Sequence, residues 1–540
     1  MLPSTTVAAY GARKKSVQPE APKHFRQLSD EVDEYPDVVR IAVPLNRVRN
    51  RSIEAPLPQQ IGRGITTMPV PACPFPRPGA ARRTVDWLKS LVASCTRFAA
   101  AAIASRNPHA LMWIAGTRGN ASCYPAGMSK NWKTKLIHSD AHAPEGFRSL
   151  APPVFRGSTV LFPNAAAVND TWNQYDAGYT YGLYGTPTVL ELAGRICELE
   201  HGHRTLITPG GQAAISLINF AFLKAGDHVL LPESVYSPSR RFANLVLKRF
   251  GVEVTMYPPT IGQVGGGASP PRESSGDSPS LSVRPQDIHS LFRPNTKLIW
   301  CESPGSITME VQDVPAIVAA AHEAGAMVAL DNTWAAGIYF DAFAHGVDIT
   351  MQALTKYVGG HSDLLLGSIT VRDEGLYNQL GSTHQLVGCA ASPDDCSLAL
   401  RGMKTLAVRL KHIEAAASEI SEWLAQTPEI ELVLHPALPT CPGHEIWKRD
   451  FTGSSGVFSI VFQKEFTKKR VRAFVDALEL FEIGYSWAGV TSLAVAYDFG
   501  SSRSRPSYGH RIVRLSIGLE DVEDLKADLE QALRQATSQP

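Results

Sequence analysis

Three short strings in this chain carry residue types that could act on one small molecule together. Thr208-Pro-Gly-Gly-Gln212 falls between an apolar strand pattern and a helical one. Backbone N–H groups at such a helix start are free to receive a phosphate, and glycine lets the anion come close. The same string also suits an ordinary tight turn. Asp331 closes the apolar run 327–330 and is followed by Asn-Thr-Trp-Ala. A carboxylate there could hold a protonated ring nitrogen or a metal, or cap the next turn. Lys356 follows a further apolar run in Ala353-Leu-Thr-Lys-Tyr-Val-Gly-Gly-His361, where an isolated lysine would be a solvated side chain. All three fall where a parallel sheet presents ligands, just past the carboxyl ends of its strands.

A phosphate cradle, a strand-end carboxylate and a lysine beyond the next strand together suit one cofactor, pyridoxal 5'-phosphate (PLP). The lysine would bind its aldehyde, and the carboxylate would keep its pyridine nitrogen protonated, so that the ring draws electrons from the substrate's Cα. At about 4 Å and an effective dielectric near 20, that ion pair is worth roughly 4 kcal/mol before desolvation. No metal is expected, because the 8 cysteines are scattered with no CxxC pair and no Cys/His cluster of zinc spacing. They read as reduced core thiols.

The elements that must position these residues follow from the periodicity. Apolar strands at 205–208, 228–231, 253–257, 297–302, 327–331 and 349–354 alternate with helices at 212–224, 239–249 and 314–324. Such alternation means an α/β fold, a mostly parallel sheet covered by helices on both faces. The first helix is expected to begin with Thr186 as its cap and Pro187 at its first position. Residues 187–402 are therefore expected to form the ligand-binding domain, interrupted by a Gly/Pro/Ser-rich surface insertion at about 262–282. Helices at 406–424 and 468–480 flanking strands at 457–462 and 512–517 predict a smaller C-terminal α+β domain over 403–540.

Composition narrows the function classes. The 540 residues carry 52 basic against 51 acidic side chains, a net +1, so no global field favours nucleic acid. A hydrophobic share of 44% with 19% charged residues is globular, and no apolar run is long enough to span a membrane. Residues 1–127 are proline-rich and aperiodic to about residue 80, with loosely helical spacing only over 86–105, which predicts a disordered extension; 128–186 would be an arm reaching a neighbouring subunit. A cytoplasmic protein is expected, with organellar targeting by the extension as the lesser alternative.

Across residues 130–530 the chain resembles the cystathionine β-lyase branch of the Cys/Met-metabolism PLP enzymes. The strings that carry the resemblance are Cys301-Glu-Ser-Pro-Gly-Ser-Ile-Thr-Met-Glu310, Leu330-Asp-Asn-Thr-Trp-Ala335, Leu354-Thr-Lys-Tyr357, Gly360-His-Ser-Asp363, Trp447-Lys-Arg-Asp-Phe-Thr-Gly-Ser-Ser-Gly456 and Ser516-Ile-Gly-Leu-Glu-Asp521. The resemblance implies a fold-type I, PLP-dependent transferase-like architecture with a seven-stranded sheet. It makes Lys356 the cofactor-binding lysine and general acid/base, and Asp331 the pyridinium partner. Gly211 and Gln212 would give N–H groups to the phosphate and Thr355 a hydroxyl. Tyr236 would stack on the ring, Arg514 would grip the substrate α-carboxylate, and Ser486 and Trp487 would line the substrate side. Tyr181 would reach the phosphate of a neighbouring subunit in a homotetramer, a dimer of dimers.

The activity so implied is β-elimination from an amino-acid thioether: L-cystathionine gives homocysteine, pyruvate and ammonia, with cystine-like compounds as further substrates. A γ-lyase or γ-synthase is the alternative within the family, and a PLP-containing regulator or scaffold the alternative outside it. Two departures from the family pattern stand out. Leu183 occupies the place of an arginine in Tyr181-Gly-Leu183, a loss of about 1.5 to 3 kcal/mol of charge-assisted bonding. Ala353 stands where a hydroxyl residue is common.

Overall fold

The computed structural model describes residues 131–137, 149–261, 288–499 and 508–539, all within one compact unit, Gly119–Pro540. The expected extension 1–127 and insertion 262–282 lie outside the described residues.

Seven strands build the first sheet: β1 (Arg204–Thr208), β2 (His228–Pro232), β3 (Glu253–Tyr257), β4 (Thr296–Glu302), β5 (Met327–Asp331), β6 (Ile349–Gln352) and β7 (Gly367–Val371). Their order is β1-β7-β6-β5-β4-β2-β3. Only β7 is reversed, pairing antiparallel with β1 and β6, so the mostly parallel seven-stranded sheet is as expected. Helices cover both faces, and the strands are apolar on both faces in response; every residue of β2, β6 and β7 is buried. Parallel pairing then brings the carboxyl ends of β4, β5 and β6 to one edge, with Glu302 in register with Asp331 and Asp331 with Met351.

Local departures from the sequence expectation have identifiable causes. Helix α1 (Pro187–Glu200) starts with its proline as expected, but Thr186 makes no side-chain cap. Strand β6 stops at Gln352, two residues short of the expected end. There the backbone leaves the ladder, because Ala353 N–H donates to the Thr333 hydroxyl at 2.9 Å and Thr355 N–H to the Leu366 carbonyl at 3.2 Å. That turn is what swings Lys356 out over the strand ends.

The second sheet holds β8 (Ile430–Leu434), β9 (Val457–Phe462), β10 (Glu482–Ile483), β11 (Leu493–Tyr497) and β12 (Ile512–Ser516), in the order β10-β11-β12-β9-β8. Its inner face packs Phe458, Phe462 and Leu515 against Phe474 and Leu529 of the helices Lys468–Asp476 and Val522–Ser538. This is the expected α+β arrangement. The helix expected at 406–424 begins earlier, with Pro393 at its start and Ser392 as its cap, and runs to Leu424 over 32 residues.

The expected domain limit at residue 402 therefore falls inside one continuous helix, Pro393–Leu424. Gly402 is there for close approach: a Cβ at this position would run into the carbonyl oxygens of Val358 and Gly359, just beyond Lys356. Gly402→Ala is expected to cost about 1–3 kcal/mol in chemical denaturation through that overpacking. Gly194→Ala, at an exposed position of α1 with nothing within 4 Å of the added methyl, is expected to gain about 0.5–1 kcal/mol.

Candidate active site

Asp331 is the last residue of β5, and its part-buried carboxylate is held by one neighbour. Thr333 donates both its backbone N–H, at 3.0 Å, and its hydroxyl, at 2.5 Å, to Asp331 Oδ1. The same hydroxyl accepts the Ala353 N–H, so a single side chain ties the carboxylate to the turn that carries Lys356. Burial raises the Asp331 pKa above its ordinary value, and the two Thr333 bonds and the Lys356 charge oppose that rise.

Lys356 Nζ donates to Ser486 Oγ at 2.5 Å and lies 5.3 Å from the centre of the Trp487 ring. Desolvation, reinforced by the nearby Arg514 cation and opposed by Asp331, lowers its pKa to about 8. An amine with that value holds a useful neutral fraction near pH 7, which is what a base for Cα–H needs. Arg514, on β12, donates through one terminal nitrogen to the Ser486 carbonyl at 2.8 Å, while its Nε is buried with no hydrogen-bond partner. An unsatisfied guanidinium N–H of this kind suits a carboxylate arriving from outside.

Tyr236 stands at the head of the short helix Ser237–Phe242, 44% exposed. Burial raises its pKa, with Asp331 and Glu302 adding to the rise and Arg514 opposing it, which places its ring among these charges. The cradle side is built by Gly211 and Gln212 at the start of α2 (Gly211–Phe222), a 12-residue helix whose first N–H groups have no side-chain cap. A Cβ on Gly211 would lie 2.7 Å from that of Ala353. The helix start and the Lys356 turn therefore approach closely, and position 211 is a glycine because the Ala353 methyl lies where its Cβ would press. The Gln212 Oε1 is buried and unpartnered.

These residues fit PLP: an open helix N-terminus for phosphate, a strand-end carboxylate for the ring nitrogen, and a lysine of lowered pKa between them. One expected contact is already committed elsewhere. The Thr355 hydroxyl accepts from Leu366 N–H at 3.1 Å and donates to the Leu366 carbonyl at 3.2 Å, so serving a phosphate means giving up the second bond. Tyr181 is not brought to the strand ends. It pairs with Thr159 on the arm and packs its half-exposed ring 5.7 Å from Tyr184.

Two residues of the site carried no role in the sequence reading. Thr333 offers no signal in sequence, since its part depends on the early end of β6. Glu302 does offer one: like Asp331, it closes an apolar strand. Its carboxyl accepts the Tyr236 N–H at 2.6 Å and the Ser306 hydroxyl at 2.6 Å. Among the described residues there is no group of His, Cys, Asp and Glu able to hold a metal ion, and no helix is long and apolar enough to cross a membrane.

Comparison with known proteins identifies the family. A putative cystathionine β-lyase of Rhizobium johnstonii is 42% identical over 411 residues, covering 75% of this chain and 96% of its own. A cystathionine β-lyase of Escherichia coli is 37% identical over 409 residues, covering 74% and 98%. Among solved structures, a cystathionine γ-synthase from Xanthomonas oryzae superposes with a TM-score of 0.66 at 27% identity, covering 76% of this chain and 100% of that one. The family model described as Cys/Met metabolism PLP-dependent enzyme matches residues 133–534. The chain belongs to that family, and its cofactor is pyridoxal 5'-phosphate.

Proposed function

We propose that the chain is a carbon–sulfur β-lyase that splits L-cystathionine into homocysteine, pyruvate and ammonia. The observation that carries this reading is Lys356 Nζ, poised on Ser486 Oγ beside Trp487 with its pKa lowered to about 8. Bound PLP supplies the electron sink that makes the substrate's Cα–H acidic. Asp331 would hold the pyridine nitrogen protonated, Gly211, Gln212 and Thr355 would hold the phosphate, and Tyr236 would serve the ring. Arg514 fixes the α-carboxylate, which leaves the Cα proton facing Lys356.

The neutral amine takes that proton and then gives it to the departing sulfur as the Cβ–S bond breaks. Homocysteine leaves as the thiol, and one water converts the three-carbon enamine fragment to pyruvate and ammonia. Ser486 and Trp487 favour β over γ elimination, because they pin Nζ at one point, while γ chemistry carries the proton one carbon further. Cystine-like thioethers and disulfides fit the same apparatus. A cytoplasmic setting is supported by the free thiols of Cys197, Cys301, Cys389, Cys396 and Cys441. A neighbouring subunit, and with it the homotetramer, is supported by Tyr181, whose ring stays 44% exposed on the arm.

Borohydride treatment of the loaded protein is expected to fix the cofactor on Lys356, and Lys356→Ala to abolish pyruvate release. Label recovered on another lysine would refute the assignment, and wild-type protein that releases no pyruvate would favour a regulatory or scaffold role. The lowered lysine pKa also has a stability consequence. Without cofactor, the folded state loses this proton near pH 8 and the unfolded chain near 10.5, so stability rises with pH between those values. Lys356→Met is therefore expected to be more stable than wild-type apoprotein at pH 7, by up to about 3 kcal/mol, and equal to it by about pH 10.5. Equal stability at both pH values would remove the desolvation argument. Finally, Tyr181→Phe is expected to weaken PLP binding without changing oligomeric mass, and Leu183→Arg to tighten it by at most about a hundredfold. No change in either variant would show that this arm does not reach a phosphate.

A further inference from the structure

We propose that Glu302 is a positioning residue: as a neutral carboxyl it seats Tyr236 at the site and leaves the negative charge at the strand edge to Asp331 alone. The proposal rests on the reading of Tyr236 and Asp331 as cofactor residues and adds to it the group that sets both.

Glu302 and Asp331 are register partners on adjacent parallel strands, so their side chains leave the sheet on the same face, side by side. Glu302 is 7% exposed, and burying two like charges next to each other is among the costliest arrangements in a protein interior. The groups facing the pair are Tyr236 from the segment after β2, Ser306 from the segment after β4, Thr333 from the segment after β5 and Lys356 from the turn after β6, with Arg514 of β12 acting on Tyr236. Their placement is uneven. Asp331 takes two donors from Thr333 and the opposing charge of Lys356, all of which favour its ionised form. Glu302 takes backbone N–H groups of Tyr236 and Ser306 and one hydroxyl, but the Ser306 oxygen at 2.6 Å accepts a carboxyl proton as readily as it gives one. The shared proton therefore sits on Glu302. Burial and the Asp331 charge push the Glu302 pKa up to about 8.

The positional role is as direct. Tyr236 N–H is the donor at 2.6 Å to Glu302 Oε2, immediately ahead of a 6-residue helix that no side chain caps. That one acceptor fixes the backbone from which the tyrosine ring projects.

The test uses Glu302→Gln, Glu302→Ala, Tyr236→Ala and the double alanine variant. PLP affinity is measured by absorbance titration of each apoprotein, and melting temperature without cofactor between pH 5 and 8. Glutamine keeps the acceptor without a charge, so its dissociation constant is expected within about twofold of wild type. Alanine is expected to weaken binding at least about fivefold, with no further loss in the double variant over Tyr236→Ala. A carboxyl whose folded pKa is raised stabilises fully below its unfolded value and loses that contribution as pH rises toward about 8. The melting temperature of Glu302→Gln relative to wild type is therefore expected to climb from pH 5 to pH 8.

Glutamine as weak as alanine, or a melting difference flat with pH, would show that Glu302 works as an anion and would overturn the proposal. Wild-type affinity in Glu302→Ala beside a weakened Tyr236→Ala would overturn the seating role alone. Wild-type affinity in Tyr236→Ala would remove the cofactor role of the tyrosine, and this inference with it.

Discussion

The parallel register of β4, β5 and β6 is the constraint on which the site depends. Pairing Glu302 with Asp331 and Asp331 with Met351 leaves two carboxyls, one buried and one part-buried, and a turn at one edge. Buried carboxyls are tolerable only when hydrogen-bonded or protonated, and the edge answers each with its own partners. Thr333 is the link that makes the answer cooperative. Its hydroxyl donates to Asp331 and accepts from Ala353 N–H, so holding the carboxylate and ending β6 are one event. Lys356 is aimed as a consequence.

The second sheet closes the site from the other side. Ser486 and Ala488 both sit at positive φ, 89° and 70°, a region that costs non-glycine residues of order 1–3 kcal/mol. Ala488 N–H donates to Ser516 Oγ, and the Ser486 carbonyl receives Arg514, so bonds to β12 hold the loop in this conformation. The two sheets are tied together by the segment around residue 456. Trp334 donates to the Val457 carbonyl, and Gly456 N–H donates to the Tyr357 hydroxyl. Those two anchors lie three residues past Asp331 and one past Lys356. The second sheet is thereby fastened to the segments that carry the chemistry.

What was legible in the sequence follows from how local its causes are. Asp331 and Lys356 could be picked out from strand periodicity, because a strand end is a one-dimensional feature. Gly211 and Gln212 were visible for the same reason at a helix start. Ser486, Trp487 and Arg514 lie far along the chain from Lys356, and spacing says nothing of their approach; only the resemblance supplied them. Glu302 had the same strand-end signature as Asp331 but no obvious ligand to serve, since its task is to hold another residue. The true end of β6 depends on a contact with Thr333, which periodicity does not register, whereas the early start of Pro393–Leu424 is marked by the Ser392 cap and Pro393 rather than by apolar spacing.

The two departures from the family pattern have different physical standing. Ala353 lies against the helix start: a Cβ on Gly211 would come within 2.7 Å of its methyl, so the two small residues let the helix start and the lysine turn meet. The turn keeps a polar contact of its own there, since Ala353 N–H donates to the Thr333 hydroxyl. Leu183 has no such compensation in its own subunit. It lies half-buried on the arm beside Tyr181 and Tyr184, and Tyr184 directs its hydroxyl to Asp170 while receiving Gln385. The arm is thus held by its own aromatic and polar contacts and does not depend on an arginine for its shape. Replacing the arginine with leucine therefore removes a charge from whatever Tyr181 faces without disturbing the element that carries Tyr181. On the reading proposed above, the uncapped start of α2 would then carry more of the phosphate's binding.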